Sequence, residues 1–179
     1  GPSSVAWTAD GQGLIYSMQG RLWRQAIGDS VARQLTTGPS YDYQPDVSPD
    51  GRSVVYAAYW KDAVELRVLD LETLVSEPLV KNGAVNVDPR WSPDGSRVAY
   101  VSTAYEGRFH VFVVPAAGTA ADPTRLTDDH DSGLPRYYYS RFDHYLSPTW
   151  SPDGKEIILV SNRGRIWGAG GLWRMEARP

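Results

Sequence analysis

The sequence contains no cysteine. That excludes disulfides, thiolate nucleophiles and Cys-ligated metals, and it leaves the redox compartment unreadable. Histidine is scarce too: His110, His130 and His144 are the three present, and no His-x-His pair occurs. No serine occupies a Gly-x-Ser-x-Gly elbow, so nucleophilic hydrolysis has no candidate machinery here. No apolar run approaches the roughly 20 residues that a bilayer-crossing helix needs. The opening "GPSSVAWTADG" has neither a basic leader nor an apolar signal core. No membrane insertion is expected. The 18 Lys and Arg stand singly or in pairs against 21 Asp and Glu, giving a formal net charge of -3. Without a basic stripe, nucleic acid is not the expected partner. Helical periodicity is nearly absent; "LETLVSEPLV" is ambiguous, and its Pro78 favours a turn or an edge strand.

What the chain does have is repetition. "WSPDG" stands at Trp91–Gly95 and again at Trp150–Gly154, "SPDG" at Ser48–Gly51, and the related "TADG" at Thr8–Gly11. In Ser-Pro-Asp-Gly, Pro presets φ, Asp bonds nearby turn amides and Gly accepts positive φ, which suits a hairpin between antiparallel strands. An apolar β run follows each turn: "GLIYSMQ", "SVVYAAY", "RVAYVST" and "EIILVSN". A third strand comes next in each unit: "RLWRQAI", "VELRVLD", "FHVFVVP" and "GLWRMEA". A fourth follows in three of them: "VARQLTT", "SEPLV" and "PTRLTDD". The turn glycines Gly11, Gly51, Gly95 and Gly154 are separated by 40, 44 and 59 residues. A period near 40 with four strands per unit predicts an all-β propeller of four-stranded antiparallel blades. About four blades are expected: 1–43, 44–85, 86–146 and an incomplete 147–179. Trp7, Trp91 and Trp150 precede the turns at one fixed place, with Val47 in the second unit, and are expected to pack between blades.

The motif "DPRWSPDGSRVAYVST … HVFVVP … TRLT", with "SPTWSPDGKEIILVSN … GLWRM" after it, resembles the repeat of TolB-like propellers. The likeness spans essentially the whole chain and four units in register. It implies the fold and a periplasmic or secreted location. The family includes the periplasmic component of the Tol system, whose propeller resembles a docking platform for envelope proteins. Similar repeats precede the catalytic domain of some amidohydrolases and prolyl-oligopeptidase-like peptidases, and the segment from Ser140 to Pro179 looks most like the amidohydrolase fusions. Two roles follow from the resemblance: a non-catalytic scaffold for protein or ligand recognition, or the accessory domain of a hydrolase whose catalytic domain lies outside this chain. Family members usually have about six or more blades, and the fourth unit here lacks its "R-L-T" strand. The chain is therefore expected to be part of a larger propeller or to be completed by homodimerisation through exposed terminal blades.

The long third interval marks an insertion, "DDHDSGLPRYYYSRFDHYL", 128–146. Loops longer than about 12 residues are functional or disordered. With Tyr137, Tyr138, Tyr139, Phe142 and Tyr145 in nine residues, this one is expected to fold onto the propeller or a partner. Binding is expected to centre on His130, Arg136, Tyr137, Tyr138, Tyr139, Arg141 and His144, because Tyr and Arg supply contact area and directional donors. Arg163, Arg165 and Trp167, from the Gly-rich "NRGRIWGAGG", are expected to join that surface. This stretch lacks the Lys-Ser/Thr ending of a phosphate loop and reads as an inter-strand connection. The Asp-rich run around His130 matches no zinc or calcium spacing and is expected to be a solvated acidic turn. His110 reads as a packed strand residue, and Asp50, Asp94 and Asp153 as turn braces. No catalytic residue, metal or cofactor is expected.

Overall fold

The computed structural model describes residues 1–117, 122–135, 141–165 and 170–177. They form four antiparallel sheets, arranged as propeller blades, with no helix among the described residues. Blade one holds β1 (Val5–Trp7), β2 (Gly13–Met18), β3 (Arg21–Ala26) and β4 (Arg33–Gln34). Blade two holds β5 (Tyr41–Val47), β6 (Ser53–Trp60), β7 (Ala63–Asp70) and β8 (Ser76–Val80). Blade three holds β9 (Asn86–Trp91), β10 (Arg97–Tyr105), β11 (Arg108–Pro115) and β12 (Thr124–Arg125). Blade four shows three strands, β13 (Tyr145–Trp150), β14 (Glu156–Ser161) and β15 (Gly171–Glu176). Each blade is a meander in which sequence neighbours pair.

The repeated turn is one hydrogen-bonded device used four times. In the third copy the Gly95 amide donates to the Ser92 carbonyl at 2.9 Å, Ser92 Oγ donates to Asp94 Oδ1 at 2.6 Å, and the Arg97 amide donates back to Ser92 Oγ at 2.9 Å. Asp94 Oδ1 also accepts from the Ser96 amide at 3.0 Å. The same bonds recur around Asp10, Asp50 and Asp153. These hydrogen bonds, that of Ser92 foremost, hold the Asp94 carboxyl down to about 2. The turn carboxylates are thus occupied as braces.

The near-continuous apolar runs follow from burial on both faces. In β6, Val54, Tyr56 and Ala58 face blade one while Val55 and Ala57 face blade three. In β11, Phe112 and Val114 pack toward blade two, Val111 and Val113 toward blade four. Three apolar clusters of described residues thus lie between successive sheets. One buried group is badly served: Tyr100, fully buried and stacked on Phe112, has a hydroxyl with no partner among the described residues. Leaving such a group unpaired costs about 1–3 kcal/mol. Tyr100→Phe is therefore expected to raise stability by about 1 kcal/mol, seen as a thermal midpoint about 2–4 °C higher; a lower midpoint would show that the hydroxyl has a partner.

Inter-blade bonds also repeat. Trp91 Nε1 donates to the Asp46 carbonyl at 3.2 Å, and Trp150 Nε1 to the Arg90 carbonyl at 3.0 Å, each reaching the residue before the equivalent position one blade earlier. Trp91 and Trp150 pack against the inter-sheet clusters. Trp7 departs from that expectation. It is 62% exposed and outside every cluster, because no sheet among the described residues covers the outer face of blade one. A second chain of contacts links the inner strands. The Gln44 amide donates to Ser4 Oγ at 2.8 Å, the Asp88 amide to Gln44 Oε1 at 3.0 Å, and Ser147 Oγ to Asp88 Oδ2 at 3.3 Å. Gln44, Asp88 and Ser147 each precede a proline and hold φ of 52°, 52° and 49°, a left-handed conformation that non-glycine residues rarely adopt.

The outer strands are shorter than the sequence predicts: β4 and β12 pair over two residues each. Threonine replaces the missing ladder. Thr36 Oγ1 accepts from the Leu22 amide at 3.0 Å and Thr127 Oγ1 from the Val111 amide at 3.1 Å. The Leu-Thr pair in "QLT" and "RLT" is thus a packed leucine followed by a side-chain substitute for a backbone acceptor. In the ambiguous stretch, β8 is an edge strand with Pro78 opposite Arg67.

Candidate functional site

The described parts of the insertion, 128–135 and 141–146, fold onto blades three and four. Asp143 is the anchor. Its side chain is fully buried, its Oδ2 lies 2.6 Å from His130 Nδ1, and both its oxygens accept from Ser132 Oγ at 3.0 Å. The two ends of the loop are also zipped through the backbone, with the Asp143 amide donating to the His130 carbonyl at 2.8 Å. Ser132 Oγ in turn accepts from the Gly164 amide at 3.0 Å, tying the insertion to the connection after β14. The His144 amide donates to Asn162 Oδ1 at 3.0 Å, and Tyr145 OH to the Asp128 carbonyl at 3.1 Å.

A second anchor sits on β11. Arg108 grips Asp129 through Nε and Nη2 at 2.8 and 2.6 Å. Bidentate geometry of this kind is the strong form of the ion pair. Arg108, and behind it His110, hold the Asp129 carboxyl below its ordinary range. His110 is fully buried, and that burial lowers its own pKa, so the imidazole is neutral. Its Nε2 lies 3.2 Å from Asp129 Oδ1 and its Nδ1 3.0 Å from Thr127 Oγ1. A carboxylate only accepts, so Nε2 carries the proton and Nδ1 accepts from the threonine hydroxyl. His110 is a packed strand residue. Two guanidinium groups approach the Phe142 ring, that of Arg108 at 4.6 Å and that of Arg141 at 4.8 Å from its centre.

The acidic stretch is a solvated turn at Asp128, 89% exposed, and at Asp131, also exposed, and departs from that expectation at Asp129; Asp143 lies beyond it, at the far end of the insertion. Asp143 is buried, Asp129 is clamped by Arg108, and Asp128 pairs with Arg125 at 3.0 Å. Among the described residues no three His, Asp or Glu side chains converge as metal ligands.

Between blades three and four these anchors leave a cavity of about 290 Å³. Leu126, Leu159 and Met175 supply apolar surface, Tyr145 and Trp173 aromatic surface, and His130, Arg163 and Arg174 polar groups. Of the sequence-predicted residues, His130 and Arg163 thus meet in one place. His144 stands nearby with Nδ1 3.4 Å from Asn162 Nδ2; Arg141 covers Phe142, and Arg165 is exposed. Arg136, Tyr137, Tyr138, Tyr139 and Trp167 lie outside the described residues. Sequence reasoning missed Trp173, which it treated as strand content, and the anchoring roles of Asp143 and Ser132.

Comparison with known proteins agrees with this architecture. A family model described as the TolB beta propeller domain matches residues 28–178. The chain belongs to that family. The TolB homolog of Chlorobium chlorochromatii is 30% identical over 130 residues, covering 73% of this chain and 26% of that protein. The Tol-Pal system protein TolB of Francisella tularensis is 22% identical over 193 residues, covering 86% and 44%. The present chain thus spans less than half the length of these TolB relatives. Two solved structures share the fold. TolB from Acinetobacter baumannii superposes with a TM-score of 0.71 at 22% identity, over 89% of this chain and 37% of that one. Kuenenia stuttgartiensis hydrazine synthase superposes with a TM-score of 0.70 at 15% identity, over 99% and 51%. One propeller therefore serves both TolB proteins and an enzyme, and the fold alone does not choose a function. In this TolB propeller, the insertion is the longest addition to the repeat, and its first residues, Asp128, Asp129 and His130, line the cavity.

Proposed function

We propose that this chain is a non-catalytic recognition scaffold that binds a protein partner through the 128–146 insertion and the adjoining residues Arg163, Arg165 and Trp167. The observation that supports the reading is the anchoring of the insertion by buried Asp143. Buried Asp143 ties the two described ends of the loop together through His130 and Ser132, and fixing the ends of a loop lowers the ordering cost of binding through it. The insertion is also rich in Tyr and Arg, the residue types that dominate binding hot spots. The relatives named for the Tol-Pal system make components of that assembly the first partners to try, in a periplasmic or secreted setting. The accessory-domain reading, in which the propeller serves a hydrolase, draws no support from the relatives named above.

The test is a joint substitution of Tyr137, Tyr138 and Tyr139 by Ala, with affinity for Tol-Pal proteins of the source organism measured by surface plasmon resonance. An affinity loss of tenfold or more is expected, about 1.4 kcal/mol, with the β signal in circular dichroism unchanged. Unchanged affinity, or a lost β signal, would count against the reading.

Self-association through the terminal blades is a second proposal, supported by two exposed faces. Trp7 and Val5 are exposed on blade one, and Leu172 is 79% exposed on β15. Trp7 carries the indole donor that Trp91 and Trp150 use between blades. A light-scattering mass of one chain would oppose it.

A further inference from the structure

The charged groups around the cavity between blades three and four are unevenly paired. Besides His130, four charged side chains line it: Asp128, Asp129, Arg163 and Arg174. Both carboxylates are already answered by arginines that are not part of the lining. Asp129 takes two bonds from Arg108, and Asp128 pairs with Arg125. The cations are not answered to the same degree. Arg174 reaches Glu156 only at 3.7 Å, and Arg163 has no carboxylate partner among the described residues. Arg163 is exposed, with its guanidinium 5.5 Å from the centre of the Trp173 ring. His130 turns Nδ1 to Asp143, which leaves Nε2 without a partner among the described residues.

The site thus combines an apolar base of Leu126, Leu159 and Met175, an indole wall and a guanidinium free to pair. Arginine donates in a fork that matches a carboxylate, and the half-exposed Trp173 ring beside it offers an apolar surface for whatever carries that carboxylate. We propose that this cavity takes a carboxylate carried on an apolar body. Two sources share that chemistry: the C-terminus of a polypeptide ending in a large apolar residue, and an acidic side chain flanked by one. The apolar part lies against Leu159, Met175 and Trp173, and the carboxylate accepts from Arg163. The inference rests on the scaffold reading, because it supplies the chemical class of partner segment that the blade-three to blade-four groove would hold.

The indole N–H resonance of Trp173, assigned with a Trp173→Phe variant, reports the site. Three probes are titrated: acetyl-Ala-Ala-Phe with a free carboxylate, the same peptide as its C-terminal amide, and acetyl-Ala-Glu-Phe amide. At least one carboxylate-bearing peptide is expected to move the Trp173 resonance and to bind tenfold or more tighter than acetyl-Ala-Ala-Phe amide. Whichever binds tighter identifies the source as a chain terminus or a side chain. Arg163→Gln is expected to abolish the difference while leaving the thermal midpoint unchanged. Equal affinity for acid and amide, a tenfold preference that survives Arg163→Gln, or an unmoved Trp173 resonance would overturn the assignment. The tyrosine substitutions separate the two readings: if the peptides fail and those substitutions still weaken a protein partner, the cavity assignment alone falls.

Discussion

Asp143→Ala is expected to cost about 3 kcal/mol and to release the insertion from the propeller. Removing the carboxylate leaves both His130 Nδ1 and Ser132 Oγ without their acceptor, and an unsatisfied buried polar group costs about 1–3 kcal/mol. His130 keeps 39% of its side chain exposed, so water recovers part of its share, and the two losses together come to about 3 kcal/mol. The same carboxylate also holds Ser132, through which the amide of Gly164 is satisfied. One substitution therefore loosens both the insertion and the connection to β15. For a chain of this size the thermal midpoint should fall by about 6–12 °C, and amide exchange should quicken in 128–135 and 141–146 ahead of the blade cores. Asp143→Asn retains an acceptor for Ser132 and should cost less than Ala. A fall under about 1 kcal/mol would show that Asp143 is not the anchor.

The next largest effect is expected at the turns. Gly95 holds φ at +71° while its amide closes the turn onto Ser92. A left-handed conformation costs an L-residue about 1–2 kcal/mol, and a β-branched one more. Space is the smaller issue, since a Cβ at Gly95 would stand 3.7 Å from Pro49 Cδ, an ordinary contact. Gly95→Val should therefore lose about 2–3 kcal/mol in urea unfolding, Gly95→Ala about 1–2, and Gly95→Asn least, Asn being the side chain that best tolerates this region. An unchanged midpoint for the valine variant would mean that the turn can close with another backbone conformation.

Much of this fold was legible because each blade is specified locally. The Ser-Pro-Asp-Gly turns and the apolar runs after them are short-range signals, and they place β2, β6, β10 and β14 correctly. The outer strands were over-read, since "QLT" and "RLT" look like strand residues while their threonines work as side-chain acceptors. Trp7 was misjudged because its surroundings depend on the neighbouring sheet. In the site, the extra length of the third interval was enough to locate the insertion. The state of its carboxylates was not readable: whether Asp143 is buried or solvated is decided by Ser132 and by a loop end 11 to 13 residues away. Gln44, Asp88 and Ser147 did leave a trace, each standing before a proline three residues ahead of the Trp or Val position. The trace said nothing of the contacts they make.

The indole-to-carbonyl bond between successive blades has a consequence for how such proteins change over time. Its donor is a side chain fixed by the repeat, while its acceptor is main chain and so indifferent to sequence. Any copy that keeps the Trp, as the second unit with Val47 does not, carries both halves, and a duplicate of it can dock on its parent before a single substitution has accumulated. Energetics confined to nearest neighbours let such an array lengthen stepwise, and one copy is then free to acquire an elaboration such as the segment spliced in after β12.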